Sequence, residues 1–229
     1  MYLQTVKKNL QEISKNIQAL KIQNLNKITI IGVTKYYTEN YIEAAIQAGI
    51  TNIGESRIQD VEKKTTKLNN KNLTTLHLIG HLQTNKTKKA VSLFDVIQTV
   101  DSQRLAEKIN NEAKKINKQQ QIFLQINISK DPQKHGFHEK EIFLAGQKIQ
   151  KLSNLKISGL MTIPANNLNE YDLRKCYEKT RKIRNTLQSE GLSSCAGLSM
   201  GMSNDYLYAI QEGATHVRIG TLLFGKREK

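Results

Sequence analysis

The 229-residue chain carries 35 basic and 20 acidic side chains, for a formal net charge of +15. No run of about 18 apolar residues occurs, so no transmembrane helix is predicted, and residues 1–20 mix charged and apolar positions in a way that argues against a signal peptide. Only seven of the basic residues are Arg and the Lys residues are spread along the chain, which argues against specific nucleic-acid recognition and leaves polyanion binding as a minority hypothesis. We therefore expect a compact cytoplasmic protein without a membrane anchor.

One amphipathic helix opens the chain, and short strands then alternate with longer helices. Apolar residues recur every three or four positions over residues 2–22, which predicts a helix with one buried face. Apolar or β-branched runs predict eight strands, at 28–33, 52–53, 76–79, 96–99, 122–127, 157–161, 196–199 and 216–219. Helical patterns lie between them, at 39–48, 55–68, 85–92, 102–117, 138–152, 168–188 and 204–212.

This alternation predicts a parallel sheet, and eight repeats allow the sheet to close into a (β/α)8 TIM-type barrel. A doubly wound open sheet is the competing architecture. No linker divides the sequence, so residues 1–229 are expected to form a single domain. No helical pattern follows the last strand, and we expect the helix at 2–22 to cover that strand instead. The two cysteines, Cys176 and Cys195, are expected to be free thiols.

Lys35 is the first candidate for chemistry, because it follows the strand at 28–33. Active sites of such barrels lie at the carboxyl ends of the strands. A partly desolvated amine near another cation, Arg218, loses its proton more readily and becomes a nucleophile that can form a Schiff base with an aldehyde. The alternative is a lysine that extends its head group to water past an apolar stem.

Small residues after the last two strands are the second candidate. Gly201 and Ser203 lead into a helix, and Gly220 and Thr221 form another small-residue turn. Backbone N–H groups and hydroxyls at such turns bind phosphate, often after strands seven and eight of a barrel. The alternative is that these glycines only make tight turns. Strand eight of a closed barrel pairs with strand one, so a single ligand with an aldehyde and a phosphate, as in pyridoxal phosphate, could contact both candidates.

Six segments, in this order along the chain, resemble the pyridoxal phosphate homeostasis protein family: GVTKYY, IGESRIQD, HLIGHLQTNKTK, ISGLMTI, LSMGMSND and HVRIGTLLFG. The resemblance implies a barrel similar to that of alanine racemases, with pyridoxal phosphate held as a Schiff base on Lys35 and Arg218 facing the pyridine nitrogen. It implies cofactor contacts from twelve residues in all: Lys35, His77, Ile79, Met161, Ser199, Met200, Gly201, Met202, Ser203, Arg218, Gly220 and Thr221. Among these, Ser203, Gly220 and Thr221 are the expected phosphate ligands and Ser199 is an alternative.

The sequence departs from the family pattern at Ser56, where Asn is usual, and at Leu76 and Leu78, where an aromatic pair is usual. These changes concern packing around the cofactor ring. Metal binding is not expected: His77 and His81 are separated by a glycine break, and His135 and His138 fall in a loop where solvent contact or helix capping is the simpler interpretation. The lysines at 86, 88 and 89 are interpreted as a solvated helix face.

Two functions follow from the resemblance. The first is a non-catalytic protein that buffers pyridoxal phosphate and delivers it, with cofactor-dependent apoenzymes as candidate recipients and a monomer expected rather than a dimer. An arginine at the ring nitrogen and the absence of the second racemase domain, which supplies a tyrosine base, favour it. The second is an amino-acid racemase or lyase that uses Tyr36, Tyr37 or water as its base.

Overall fold

Eight parallel strands close into a barrel in the computed structural model, which describes residues 2–22, 28–65, 73–128 and 134–225. Each strand pairs with the next along the chain, and the last pairs in parallel with the first, where Ile31 lies opposite Arg218. The predicted (β/α)8 barrel is confirmed and the open sheet is rejected. The strands are β1 (Thr29–Val33), β2 (Asn52–Glu55), β3 (Thr75–Leu78), β4 (Val96–Val100), β5 (Gln120–Ile126), β6 (Leu155–Thr162), β7 (Gly197–Met202) and β8 (His216–Ile219).

The helices surround the barrel in the order that the sequence predicts. They are α1 (Tyr2–Ala19), α2 (Glu39–Gln47), α3 (Ile58–Thr65), α4 (Thr87–Leu93), α5 (Gln103–Lys115), α6 (Glu139–Ile149), α7 (Glu170–Ser189), α8 (Tyr206–Gln211) and α9 (Thr221–Phe224), with a 3-10 turn at Thr84–Lys86 before α4. Residues 66–68 of the predicted third helix lie outside the described residues.

Two predictions of local structure are corrected. The second strand was predicted to end at Ile53, but β2 continues through Gly54 and Glu55, because both keep their pairing with β3, opposite His77 and Leu78. No helix was expected after the last strand, but α9 forms a single turn there. Four residues are too few to show helical periodicity in a sequence.

The N-terminal helix packs on the outside of the barrel between α2 and α9. Val6, Ile13 and Ile17 form its buried face, as the apolar spacing predicts. The side-chain amide of Asn9 donates a hydrogen bond to the Leu223 carbonyl over 2.9 Å, which joins α1 to α9. The cover near β8 is therefore shared by α1 and α9 rather than supplied by α1 alone.

Most apolar side chains pack in the layer between the strands and the helices, in one continuous core. The barrel interior, in contrast, contains several buried polar side chains, among them Gln98, Ser199 and Arg218. Because a buried polar group costs free energy unless it is hydrogen-bonded, these residues are candidates for function or for strict positioning. No helix in the described part of the chain is both long enough and apolar enough to span a bilayer.

Candidate functional site

A cavity of about 910 Å³ opens at the carboxyl ends of the strands. Its walls bring together residues from β1 and from the segments after β3, β7 and β8. Seven of the twelve residues expected at a cofactor site line it: Lys35, Ile79, Met202, Ser203, Arg218, Gly220 and Thr221. The candidate amine and the candidate phosphate ligands therefore share one cavity.

Lys35 begins a tight turn directly beyond β1. The backbone N–H of Tyr37 donates to the Thr34 carbonyl over 2.9 Å, and Tyr36 takes a positive φ of 70° within the turn. The turn directs Tyr36 to solvent, where its side chain is 57% exposed, and buries Tyr37, whose hydroxyl donates to the Gly225 carbonyl over 2.7 Å. Lys35 itself is half-buried at the cavity wall.

A buried carboxylate fixes the residue before Lys35. Glu55, at the end of β2, is only 1% exposed, and its Oε1 atom accepts from the Thr34 hydroxyl over 2.7 Å and from the Lys64 ammonium over 2.6 Å. The same ammonium donates to the Thr34 carbonyl over 2.8 Å. Thr34 is thus bound through both its side chain and its backbone, and the start of the Lys35 turn is held firmly in place.

Arg218 forms the floor of the cavity and is buried. Its Nη1 donates to the Ser199 carbonyl and hydroxyl oxygens over 2.8 and 2.9 Å, and its Nη2 donates to the Thr162 carbonyl over 2.9 Å. Burial lowers the pKa of the guanidinium to about 10, so that it stays charged at neutral pH. A guanidinium has five N–H donors, and three are used here, so donor capacity remains for a group in the cavity.

A chain of hydrogen bonds continues from Arg218 through the barrel interior. The Ser199 hydroxyl donates to Gln98 Oε1 over 2.6 Å, Gln98 Nε2 lies 2.9 Å from His77 Nδ1, and His77 Nε2 lies 2.9 Å from Asn52 Oδ1. Because Gln98 uses its oxygen for Ser199, its amide N–H must donate to His77, which makes Nδ1 an acceptor and places the proton on Nε2. Burial, and after it the neighbouring charge of His216, lowers the pKa of His77 to about 3, which agrees with a neutral ring.

Backbone N–H groups after β7 and β8 form part of the cavity wall. Ser203 Oγ accepts from the N–H groups of Gly220 and Leu222 over 3.3 and 3.4 Å, which links the segment after β7 to the start of α9. Among the described residues, the structure gives no acceptor for the N–H groups of Ser203, Asn204 and Thr221. Several backbone donors around a hydroxyl are the usual elements of a phosphate site.

The segment that carries Ser203 turns sharply at Gly201, which has a φ of +89°. A Cβ at this position would lie 2.5 Å from the Cβ of Ala209, so only glycine fits. The neighbouring N–H of Met202 is already bound by the Asp205 carboxylate over 2.5 Å. It is therefore not free to donate to a ligand in the cavity.

Five expected site residues do not line the cavity, for reasons of alternation and depth. His77 lies one layer deeper than Ile79, which is two positions nearer the mouth on the same strand face, and His77 lines a separate cavity of about 370 Å³ at the other end of the barrel. Met161 likewise lies one layer deeper than Ile163, which lines the cavity. Ser199 lies beneath the floor, in contact with Arg218.

The other two expected residues outside the cavity lie on β7. Met200 is fully buried and packs in the core between strands and helices. Gly201 contributes through its backbone turn rather than through a cavity contact. Of the expected phosphate ligand Ser203 and its alternative Ser199, only Ser203 lines the cavity.

Several cavity residues were missed in the sequence. Ile163 could have been found by continuing the two-residue alternation of β6 past Met161. Ser56, expected only to affect packing around the cofactor ring, lines the cavity through the same alternation of β2 past Gly54. Asn204 and Tyr208 belong to a turn and a helix whose direction depends on the packing of α8, and no local pattern indicates that they reach the cavity.

Comparison with known proteins agrees with this geometry. The model of the alanine racemase N-terminal domain family matches residues 8–228. A protein from Synechocystis sp. named pyridoxal phosphate homeostasis protein is 39% identical over 200 residues, covering 87% of this chain and 92% of that protein. A protein of the same name from Aquifex aeolicus is 37% identical over 203 residues, covering 89% of each chain.

Solved structures show the same fold. PipY from Synechococcus elongatus, determined with pyridoxal phosphate bound, has a TM-score of 0.84 and 32% identity, covering 93% of this chain and 100% of PipY. An alanine racemase from Clostridium difficile has a TM-score of 0.79 at 16% identity, and the match covers 99% of this chain but 58% of the racemase, which shows the likeness of fold alone. The chain therefore belongs to the alanine racemase N-terminal domain family and, within it, to the pyridoxal phosphate homeostasis proteins.

Proposed function

We propose that this protein binds pyridoxal phosphate as a Schiff base on Lys35 and serves as a carrier that buffers the free cofactor and delivers it, without robust catalytic activity. The observation that carries the proposal is the cavity that joins Lys35 to the Ser203 and Thr221 wall over the Arg218 floor. The name of its relatives and the cofactor bound in PipY support the choice of ligand.

The residues present fit the three parts of this cofactor. The Lys35 amine is suited to bind the aldehyde covalently. The unpartnered N–H groups of Ser203, Asn204 and Thr221 are suited to the phosphate, and Ser203 Oγ adds a hydroxyl. Arg218 has remaining donors for a ring nitrogen that acts as an acceptor.

Arg218 also favours a carrier over a catalyst. When bound to an enzyme, pyridoxal phosphate supplies an electron sink, which is strongest when an acidic partner keeps the ring nitrogen protonated. Arg218, which is bound to Ser199 and Thr162 and has a pKa of about 10, is a hydrogen-bond donor. It therefore cannot accept a hydrogen bond from a protonated ring nitrogen, as an acidic partner would. We expect Arg218 to orient the ring while leaving the nitrogen unprotonated.

An amino-acid racemase or lyase is the second candidate, and it requires a base near Lys35. Tyr37 lines the cavity, but its hydroxyl donates to the Gly225 carbonyl and would have to leave that bond to accept a substrate proton. Tyr36 is exposed, and the Arg57 guanidinium lies over its ring, with the guanidinium carbon 5.5 Å from the Tyr36 ring centroid. Both arrangements support the carrier as the preferred proposal.

The absorption spectrum of the purified protein tests cofactor binding. With pyridoxal phosphate added, we expect a visible imine band in the wild type, loss of that band in Lys35→Ala, and retention in Lys8→Ala, a change at an exposed position on α1. A band of equal strength in Lys35→Ala would reject the assignment of Lys35. No band and no cofactor uptake in the wild type would reject the function.

Turnover separates the two candidates. A carrier should show no racemase, transaminase or lyase activity of ordinary enzymatic rate, about 1–1000 s⁻¹, with common amino acids. Activity in that range that disappears in Tyr37→Phe, with the imine band unchanged, would establish the enzyme instead.

The proposal extends to the setting of the protein. We place it in the cytoplasm, as a single-domain monomer over residues 1–229, with cofactor-dependent apoenzymes as the recipients of the cofactor. The two cysteines are free and buried, as is common in proteins of a reducing compartment.

A further inference from the structure

Two histidines and an aspartate converge beside the mouth of the barrel, outside the residues proposed to hold the cofactor. Asp101 Oδ2 lies 3.2 Å from His81 Nδ1 and 3.6 Å from His135 Nδ1. The two imidazole rings stack, with centroids 3.6 Å apart and planes 10° from parallel. One ligand atom from each of the three residues lies within 4.8 Å of the other two.

Side-chain hydrogen bonds from β4 and β5 anchor the chain segments that carry these residues. The Thr99 hydroxyl, near the end of β4, donates to the Gly80 carbonyl over 2.8 Å and so links the segments that carry Asp101 and His81. The Gln125 amide, on β5, donates to the His135 carbonyl over 2.9 Å. The backbone segments that carry the three side chains are therefore held in place, which helps to position a functional site.

Close packing also fixes the segment that carries His135. A Cβ at Gly136 would lie 2.8 Å from the Asn127 nitrogen, so the chain touches β5 immediately after His135. The ammonium of the preceding Lys134 is bound to the Pro164 carbonyl. The Lys134 ammonium therefore has its own hydrogen-bond acceptor in the Pro164 carbonyl.

The two separations that involve Asp101 match those of a metal coordination sphere. Zn–N and Zn–O bonds of about 2.0–2.2 Å at tetrahedral angles place neighbouring ligand atoms about 3.3–3.6 Å apart. The distances from Asp101 Oδ2 to His81 Nδ1 and His135 Nδ1, 3.2 and 3.6 Å, lie within 0.1 Å of this range. His81 and His135 are 40% and 55% exposed, so their rings have room to rotate until both lone pairs point at one ion.

We infer that His81, Asp101 and His135 form a binding site for a divalent transition metal of the zinc class, with at least one coordination position open to solvent. Two imidazoles and one carboxylate are a ligand set that such ions accept, and three protein ligands leave room for an exchangeable one. Ser56 lines both the main cavity and the groove that contains His81, so the ion would lie beside the barrel mouth.

Titration of the tag-free, full-length protein with Zn²⁺, after removal of metals with a chelating resin, tests the site. Calorimetry should show one Zn²⁺ per chain. Loss of even an outer partner of a metal ligand costs about 10–100-fold in affinity, so His81→Asn, His135→Asn and Asp101→Asn should each lower affinity by at least that factor. Co²⁺ should give a visible d–d absorption that the same variants lose.

His138→Asn is the matched control, because it removes an imidazole three residues along the chain from His135, at the N-cap of α6, and substitutes a residue that caps helices well. We expect it to leave Zn²⁺ affinity unchanged, with circular dichroism confirming that all variants fold. Absence of Zn²⁺ binding by the folded wild type, or equal affinity in the wild type and the three ligand variants, would overturn the inference. Neither outcome depends on pyridoxal phosphate.

Discussion

The ion pair beneath the Lys35 turn offers a quantitative test of how the site is held. In Lys64→Met, Glu55 would keep one hydrogen bond, from the Thr34 hydroxyl to Oε1, while Oε2 already has no partner among the described residues. Lys64 is 12% exposed and Glu55 is 1% exposed, so the remaining carboxylate would be buried almost without compensation. Removing one partner of such a pair costs about 3–5 kcal/mol.

For a domain of this size, that loss corresponds to a decrease in melting temperature of about 6–20 °C. The assay is thermal and urea denaturation followed by circular dichroism. Lys89→Met is the matched control, since the ion pair of Lys89 with Glu62 is exposed and should contribute no more than about 1 kcal/mol. In the double variant with Glu55→Gln, we expect part of the lost stability to return, because the uncompensated charge is removed while Gln can still accept from Thr34.

The same variant should weaken cofactor binding, since Lys64 also holds the Thr34 carbonyl next to Lys35. A melting temperature for Lys64→Met no lower than that of Lys89→Met would show that the pair does not stabilise the barrel. Equal losses in Lys64→Met and in the double variant would show that burial of an unpaired charge is not the cause.

Three further outcomes are expected. His77 has a pKa of about 3 in the fold against 6.5 when unperturbed, so its stabilising contribution is present above pH 6.5. As the pH falls toward 3, that contribution is lost at about 1.4 kcal/mol per pH unit. In urea unfolding, the free energy of unfolding of His77→Gln should therefore fall less steeply with decreasing pH than that of the wild type. Gly201→Ala should lower stability more than Gly191→Ala, because both positions have positive φ but only Gly201 lacks room for a Cβ; equal losses would contradict this. Ser203→Ala should weaken pyridoxal phosphate binding about 10-fold or more in a fluorescence titration, the effect of losing a hydrogen bond to a charged group, and an unchanged affinity would remove Ser203 from the phosphate site.

The fold could be predicted because each strand of a parallel barrel is a short apolar run and each helix an amphipathic one. The position of Lys35 at the end of β1 followed from the same pattern. Depth within the barrel could not be predicted in this way. His77 and Ile79 share a strand face, and only the closed structure shows that Ile79 lines the mouth while His77 bonds to Gln98 below.

The polar interactions were beyond sequence reasoning for a related reason. Glu55 and Lys64 are brought together by the return of α3 against β2, and nothing local to either residue indicates burial. His81, Asp101 and His135 follow three different strands, β3, β4 and β5, with no local metal-binding spacing, so only the pairing of these neighbouring strands makes them a cluster. The sequence spacing draws attention instead to the pairs His77/His81 and His135/His138, neither of which belongs to the cluster as a pair.

The central claim is that one amine, at Lys35, binds the cofactor aldehyde. Its most direct test is borohydride reduction of the protein loaded with pyridoxal phosphate, followed by peptide mapping with mass spectrometry. We expect one phosphopyridoxyl group per chain, on the peptide that contains Lys35, and no labelling of that peptide in Lys35→Ala. Labelling spread over the exposed lysines, or concentrated on another residue such as Lys64, would contradict the claim.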